Sequence, residues 1–216
     1  MTEARSLQTE IGPSEIGNKC DRRLAYRFAG TPRVNFPDPL RSMAGTGMHE
    51  VLANYFRRLD GGAGRYLVEH KVTYRGISGS VDLYDRRRRI LIDWKSPLKA
   101  KAKKVTNDGP DHGYVVQVHT YGAGLREQGE LVERVGLCFI PPDGTLDDMR
   151  VWAQPLDIEL ANTAINRVET LREQASRVVP GSVDPTPSHL CGWCPYWREG
   201  STDLNVACPG QSTRRK

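Results

Sequence analysis

The sequence predicts an α/β fold: a mixed sheet flanked by helices. Three observations carry this. Three strand-like runs lie close together between Tyr66 and Lys95, with turn signals between them; two further short strand-like runs follow near residues 135–140 and 150–153; and helix-like segments precede, separate and follow these runs. The order of helices, three-strand meander, helix, strands and helix does not alternate strictly, which favours a mixed sheet over a doubly wound parallel one. At 216 residues the chain reads as a single domain spanning 1–216, long enough to bury a sizeable core.

Taken in order, Ser14 can cap a helix running through about Phe28, with Gly30 as its stop. A proline-rich loop, Thr31 to Pro39, separates it from a second helix that runs to about Leu59 and ends at Gly61 and Gly62. The strands are expected at Tyr66–Tyr74, Ile77–Tyr84 and Arg89–Lys95, with Gly76 and an arginine run at the turns. Ser96 to Asp111 is lysine-rich and contains Asn107–Asp108–Gly109–Pro110, so it reads as a loop. A helix follows from about Gly113 to Gln128, then strands near Val135–Ile140 and Arg150–Ala153, then a helix from Asp157 to Val178. Beyond Pro180 the chain is rich in Pro, Gly and Cys and is expected to be irregular, held by whatever the cysteines bind.

The net charge of +5, from 31 Lys+Arg against 26 Asp+Glu, permits a polyanionic partner. The first residues carry no apolar run and no stretch is long enough to span a membrane, so a soluble, cytoplasmic protein is expected. In that reducing compartment, closely spaced cysteines favour ligation over disulfides.

Strand alternation places a candidate site. In Arg89–Lys95, Asp93 and Lys95 share one face, and Ile92 and Trp94 the other. Asp82 lies on the face opposite Val81 and Leu83. A hairpin centred on Arg87–Arg88 sets position 82 across from position 93, with Cβ atoms roughly 4.5–5.5 Å apart. Two carboxylates held so repel each other, and a divalent cation turns the repulsion into a chelate. Lys95, one pleat further on, can reach a scissile phosphate or a metal-bound water. Val81, Leu83, Ile92 and Trp94 would bury the reverse face. The plainer alternative is an ordinary exposed sheet face. His49 shares its helical face with the small residues Gly45 and Ala53, which leave room for a metal or a backbone, although a lone histidine is more often a satisfied structural group. Gln117 and Tyr121, four apart, lie on one helical face that could equally be an amphipathic stripe. Arg86–Arg89 and Lys99, Lys101, Lys103 and Lys104 flank the site in sequence, either as solvated turns or as contacts to a nucleic-acid backbone.

Cys20, Cys191, Cys194 and Cys208 bracket the chain. Four thiolates suit a structural zinc ion or an iron–sulfur cluster. Zinc sites are usually assembled from two close pairs, whereas Cys20 stands about 170 residues from Cys191; the Cys191–Cys194 pair by itself suits either group. His189 is a substitute ligand for zinc, and Cys138, in an apolar strand, reads as core.

His49, Gly79–Ser80–Val81–Asp82, Asp93–Trp94–Lys95 and Gln117–Val118–His119–Thr120–Tyr121 stand in the order of RecB-like nucleases of the PD-(D/E)XK superfamily. With Cys20 ahead and Cys191, Cys194 and Cys208 behind, the chain resembles the iron–sulfur branch, which includes CRISPR-associated exonucleases and the nuclease domain of AddB. The resemblance covers about Ile16 to Pro209 and implies a restriction-endonuclease-like core whose two ends are joined by a 4Fe–4S cluster on the four cysteines. It implies Mg²⁺ or Mn²⁺ held by Asp82 and Asp93, with His49 and the Trp94 carbonyl as further ligands and Glu69 as a weaker assistant. Lys95 would orient the attacking water, and Gln117 and Tyr121 would position the strand or support Lys95. The implied activity is exonuclease action on single-stranded DNA, from the 5′ end; no GKS or GKT P-loop is present, so unwinding would fall to a helicase or to a recombination or CRISPR partner. A non-catalytic cluster-bearing DNA-binding module of a recombination or spacer-acquisition complex is the competing reading, and a zinc-stabilised nucleic-acid adaptor a third.

Overall fold

The computed structural model describes residues 11–175, 178–188 and 190–210; the zinc alternative His189 lies outside them. The chain divides into two compact units. The first comprises the residues up to Gly17 with Leu40–Ala164, and the second Asn18–Pro39 with the residues from Ile165.

The first unit holds α1 (Pro13–Ile16), α3 (Leu40–Asp60), β1 (Tyr66–Tyr74), β2 (Ile77–Asp85), β3 (Ile90–Lys95), α4 (Lys99–Asp108), α5 (His112–Glu127), β4 (Arg134–Phe139) and β5 (Arg150–Pro155). The five strands form one mixed sheet in the order β1-β2-β3-β4-β5. All pairings are antiparallel except β3 with β4, the pair joined through α4 and α5. A parallel pair needs a crossover long enough to return the chain to the same edge, and these two helices provide it.

Two apolar clusters cover the two faces of the sheet. On one, Leu91, Val135 and Leu137 pack with Val118, Tyr121 and Leu125 of α5. On the other, Leu83, Trp94 and Cys138 pack against Met48, Leu52 and Phe56, a four-residue row on α3. Cys138 is core, as its apolar strand implies, and burial pushes its thiol up to about 11.

The alternation of β2 does not hold throughout. Leu83 packs under α3, whereas Val81, two residues away, joins the cluster under α5. Val81 and Leu83 therefore do not share the reverse face. The cause lies opposite, in β1: Val68 pairs with Leu83 and His70 with Val81, but the ladder register skips the step from Glu69 to Asp82 between them, and Glu69 has φ +50°. A left-handed residue in mid-strand turns the ribbon over, so the faces exchange on either side of it.

Three other expectations change. The first helix is two: α1, capped at Gly12 rather than by Ser14, and α2 (Asp21–Phe28) in the second unit. The break falls at Gly17, where a Cβ would lie 2.7 Å from Gly113 Cα, so α1 can approach α5 only by ending in glycine. The lysine-rich loop is in fact the helix α4: Ala and Lys are good helix formers, Ala102 is buried, and Gly109 at φ +73° ends it. The irregular tail contains single 3₁₀ turns at Pro180–Ser182 and Cys191–Trp193.

The second unit holds α2 and the residues of α6 (Ile158–Ala175) from Ile165 onward. Arg167 pairs with Asp21, Arg22 Nε donates to the Val183 carbonyl at 2.7 Å, and Asn35 Nδ2 donates to the carbonyls of Gly192 and Cys194, each at 2.9 Å. Residues early and late in sequence therefore fold together here.

Candidate active site

In the first unit His49, Asp82, Asp93, Lys95, Gln117 and Tyr121 border one cleft of about 500 Å³. Asp93 and Lys95 project from β3 toward α5, and Gln117 and Tyr121 face them from that helix. Asp111 caps α5 by accepting from the Gly113 amide at 2.9 Å, and every residue from Val116 to Leu125 is buried, so the helix is firmly placed.

A chain of polar contacts crosses the cleft. Lys95 Nζ lies 2.7 Å from Asp93 Oδ2 and donates to Gln117 Oε1 at 2.9 Å. The Gln117 amide nitrogen in turn donates to the Tyr121 hydroxyl at 3.1 Å. The Tyr121 ring can approach β2 this closely because position 79 is glycine: a Cβ there would stand 2.6 Å from Tyr121 Cε1. Lys95 also sits over the ring of Tyr114, 4.5 Å from its centroid.

Asp82 occupies the break in β2. The β2–β3 ladder stops at Leu83↔Ile92, one pair short of the 82–93 pairing that the hairpin register implies. In its place the Asp82 carboxylate accepts from the Trp94 amide at 2.8 Å and lies 3.3 Å from His49 Nδ1. The Trp94 ring packs under α3, stacked on Phe56 with centroids 5.9 Å apart. Glu69 belongs to the same group. Its carboxylate, the His49 imidazole and the Asp82 carboxylate offer ligand atoms within 4.8 Å of one another, and the Ser80 hydroxyl donates to Glu69 at 3.2 Å. Asp93 stands beside that trio, held by Lys95.

Burial pushes the Asp93 carboxyl up to about 6; the Lys95 ammonium opposes the shift and the Asp82 charge adds to it. Carboxylates crowded and desolvated in this way are the environment in which a hard divalent cation is bound, and the oxygen and imidazole donors present fit Mg²⁺ or Mn²⁺.

The basic segments divide. Arg86 is bound to Glu130 and to the Gly64 carbonyl, and Arg89 to Glu133, so both clamp the β2–β3 turn in place. Lys99 pairs with Asp148 at 2.8 Å, and that bond, with the Thr145 amide, holds the Asp148 carboxyl down to about 2. Arg87 and Arg88, and Lys101, Lys103 and Lys104 on α4, remain exposed.

In the second unit Cys20, Cys191, Cys194 and Cys208 are all free thiols. Cys20 Sγ accepts from the Thr186 amide at 3.5 Å, Cys191 Sγ from the Ser188 amide at 3.3 Å and Cys208 Sγ from Arg22 at 3.7 Å. Burial raises the Cys194 thiol, the Tyr196 amide opposes this, and the charges of Cys20 and Cys208 add to it. Among the described residues only His49, Glu69 and Asp82 bring three such ligand atoms within 4.8 Å of one another; the thiols do not.

The sequence motifs leave out Tyr114, and they contain Ser80 only as part of Gly79–Asp82, with no role of its own. Tyr114 carried a readable signal, since it precedes Gln117 by three residues on the same helical face. The placement of Glu69 depends on a backbone angle that no residue pattern announces.

A family model described as the PD-(D/E)XK nuclease superfamily matches residues 32–198. Among solved structures, an alkaline exonuclease, LHK-Exo, from Laribacter hongkongensis is similar at 17% identity and a TM-score of 0.54, over 78% of this chain and 88% of that one. A phage-related exonuclease from Haemophilus somnus 129PT is similar at 15% identity and a TM-score of 0.50, over 73% and 79%. A third structure, SSO0001, is 16% identical with a TM-score of 0.51, over 95% of this chain and 89% of that one. No curated protein matches the chain.

Proposed function

The chain belongs to the PD-(D/E)XK nuclease superfamily, and we propose that it is a divalent-metal-dependent DNA exonuclease that prefers single strands and works from the 5′ end. The observation that carries this is the position of Lys95, held between Asp93 and Gln117 in the cleft that Asp82 and His49 also line. The exonuclease likenesses and a complex of LHK-Exo with dAMP support DNA as the substrate class.

Asp82, Asp93, His49 and the Trp94 carbonyl would hold Mg²⁺ or Mn²⁺, with Glu69 beside them. Such an ion lowers the pKa of bound water and neutralises charge on a phosphate. Asp93 keeps the Lys95 ammonium in the cleft, and Gln117 fixes its direction. From there Lys95 orients the attacking water and offsets the negative charge that builds on the phosphate as the bond to the leaving oxygen stretches. Gln117 is aligned in turn by Tyr121, so the α5 pair acts on the reaction through the lysine.

Cys20, Cys191, Cys194 and Cys208 we assign to one 4Fe–4S cluster in the second unit. The hydrogen bonds that the Thr186 and Ser188 amides donate to the Cys20 and Cys191 sulfurs support this, since hydrogen bonds to sulfur tune cluster thiolates. Unwinding of duplex DNA is left to a helicase or to a recombination or CRISPR partner.

The test is cleavage of end-labelled single- and double-stranded DNA with Mg²⁺, with Mn²⁺ and with chelator. Wild type should release nucleotides from the 5′ end of single strands only with a metal. Asp93→Ala should abolish cleavage, and Lys95→Ala should lower it by roughly 10²–10³-fold while metal binding persists. Full activity of Asp93→Ala at saturating metal would remove the site assignment.

A further inference from the structure

We propose that Tyr114 is a positioning residue for Lys95, its ring face serving as an uncharged seat for the ammonium; the proposal rests on the nuclease reading above. Lys95 Nζ lies 4.5 Å from the ring centroid, inside the distance at which the negative face of an aromatic ring attracts a cation. The lysine side chain is 16% exposed, so the attraction is only partly screened by water. Tyr114 is fixed from behind, with its ring 6.4 Å from that of the buried Phe139, and it borders the cleft. The ring is half-buried and packed against the core cluster under α5, which limits its movement beneath the ammonium.

Among the described residues, the Lys95 ammonium meets Asp93, Gln117 and Tyr114, and these differ in charge. Asp93, at 2.7 Å, is an anion; Gln117 and Tyr114 are neutral. An ammonium whose charge is cancelled by a carboxylate has little left for a phosphate. A divalent cation held by Asp93 would draw on the carboxylate's charge, and the Gln117 carbonyl and the Tyr114 face would then carry more of the hold on the lysine. Both hold it without neutralising it. Gln117 supplies direction through one hydrogen bond, and Tyr114 supplies a second point of attachment, which restricts the four-carbon stem to the orientation chemistry needs.

The experiment replaces position 114 in the full chain with Leu, Phe and a series of Phe analogues carrying one, two and three ring fluorines. Fluorine withdraws the ring's negative face with almost no change of shape. Tyr114→Leu should lower kcat by about 2- to 30-fold, with little change in KM for single-stranded DNA or in Mn²⁺ affinity. Tyr114→Phe should recover most of that loss, and kcat should then fall stepwise with each fluorine. A residue that merely packs would give a flat fluorine series, because its volume hardly changes, and a flat series overturns the proposal. The second readout needs no turnover: ring current should move the Lys95 ε-methylene proton resonance upfield in wild type, and the shift should vanish in Tyr114→Leu. A Lys95 resonance unmoved by that substitution also overturns the proposal. Absence of metal-dependent cleavage in wild type overturns the nuclease reading, and with it the role assigned to the seat; the resonance would then report the contact alone.

Discussion

At the scale of single residues, the cleft works through contacts that leave little tolerance. Gly79 shows this most sharply. A methyl group there would sit 2.6 Å from Tyr121 Cε1 and 3.0 Å from Pro13 Cγ, neither of which is the free end of a flexible chain. Gly79→Ala should therefore cost about 1–3 kcal/mol of stability, measured by denaturant unfolding, and should also lower kcat by displacing Tyr121 from Gln117. A variant as stable as wild type would show that α5 can shift at no cost. The strain at Asp93 has the opposite sign. Its charge is buried and opposed by Asp82, so in chelator at neutral pH Asp93→Asn should unfold at higher denaturant than wild type, although it is inactive. Equal or lower stability would mean that the Lys95 pairing outweighs the burial cost.

At the scale of elements, α5 and α4 play different parts. In α5, Gln117 and Tyr121 face the cleft, while the intervening His119 is buried and serves structure: its Nδ1 accepts from the Asp157 amide at 2.9 Å and its Nε2 lies 2.5 Å from the Gln154 side chain. With Nδ1 accepting, the neutral ring carries its proton on Nε2, and the Gln154 amide oxygen is the group that must face it. Burial lowers the His119 pKa below its usual 6.5, opposed by Asp157. A folded value below the unfolded one means that the unfolded chain takes up the proton first, so the stability is complete above about 6.5 and is lost as pH falls through the folded value. His119→Gln should thus flatten the decline of stability below that pH, as followed by denaturant midpoints; an unchanged slope would assign the decline to other groups. On α4, Lys101, Lys103 and Lys104 are exposed while Lys99 is bound to Asp148. Neutralising the three free lysines should flatten the salt dependence of single-strand binding by up to about 0.7 in log–log slope for each phosphate deprived of its lysine, and neutralising Lys99 should chiefly cost stability. A salt slope unchanged by the triple variant would return those lysines to the solvated surface.

At the scale of the whole molecule, chemistry and cysteines are segregated. The carboxylates, Lys95 and the α5 pair belong to the first unit, and all four cysteine ligand candidates belong to the second. Cys20→Ala should bleach a brown, anaerobically prepared protein and raise hydrogen exchange in α2 and the Cys191–Cys208 region, while the five-stranded sheet stays protected. Cys138→Ala should keep the colour, because that thiol lies in the core of the first unit. Stoichiometric zinc with neither iron nor sulfide would overturn the cluster and leave the cleft residues standing, since their arrangement uses no cysteine.

The sequence by itself determined which residues are candidates and on which elements most of them ride. Periodicity put Asp93 and Lys95 on one face of β3, placed Gln117 beside Tyr121, and marked Cys138 as core, because these depend only on the pitch of a strand or helix. Only the tertiary structure decided how the cleft closes. The left-handed Glu69 breaks the β2 alternation and brings Glu69 toward His49 and Asp82. The seat of Lys95 on Tyr114 needs β3 and α5 at one particular spacing. The pairing of Arg86, Arg89 and Lys99 with acids up to 49 residues away removes three charges that a local reading leaves free. Local patterns encode direction along an element. Which side chains meet across elements depends on packing distances and backbone strain, and those are properties of the assembled core.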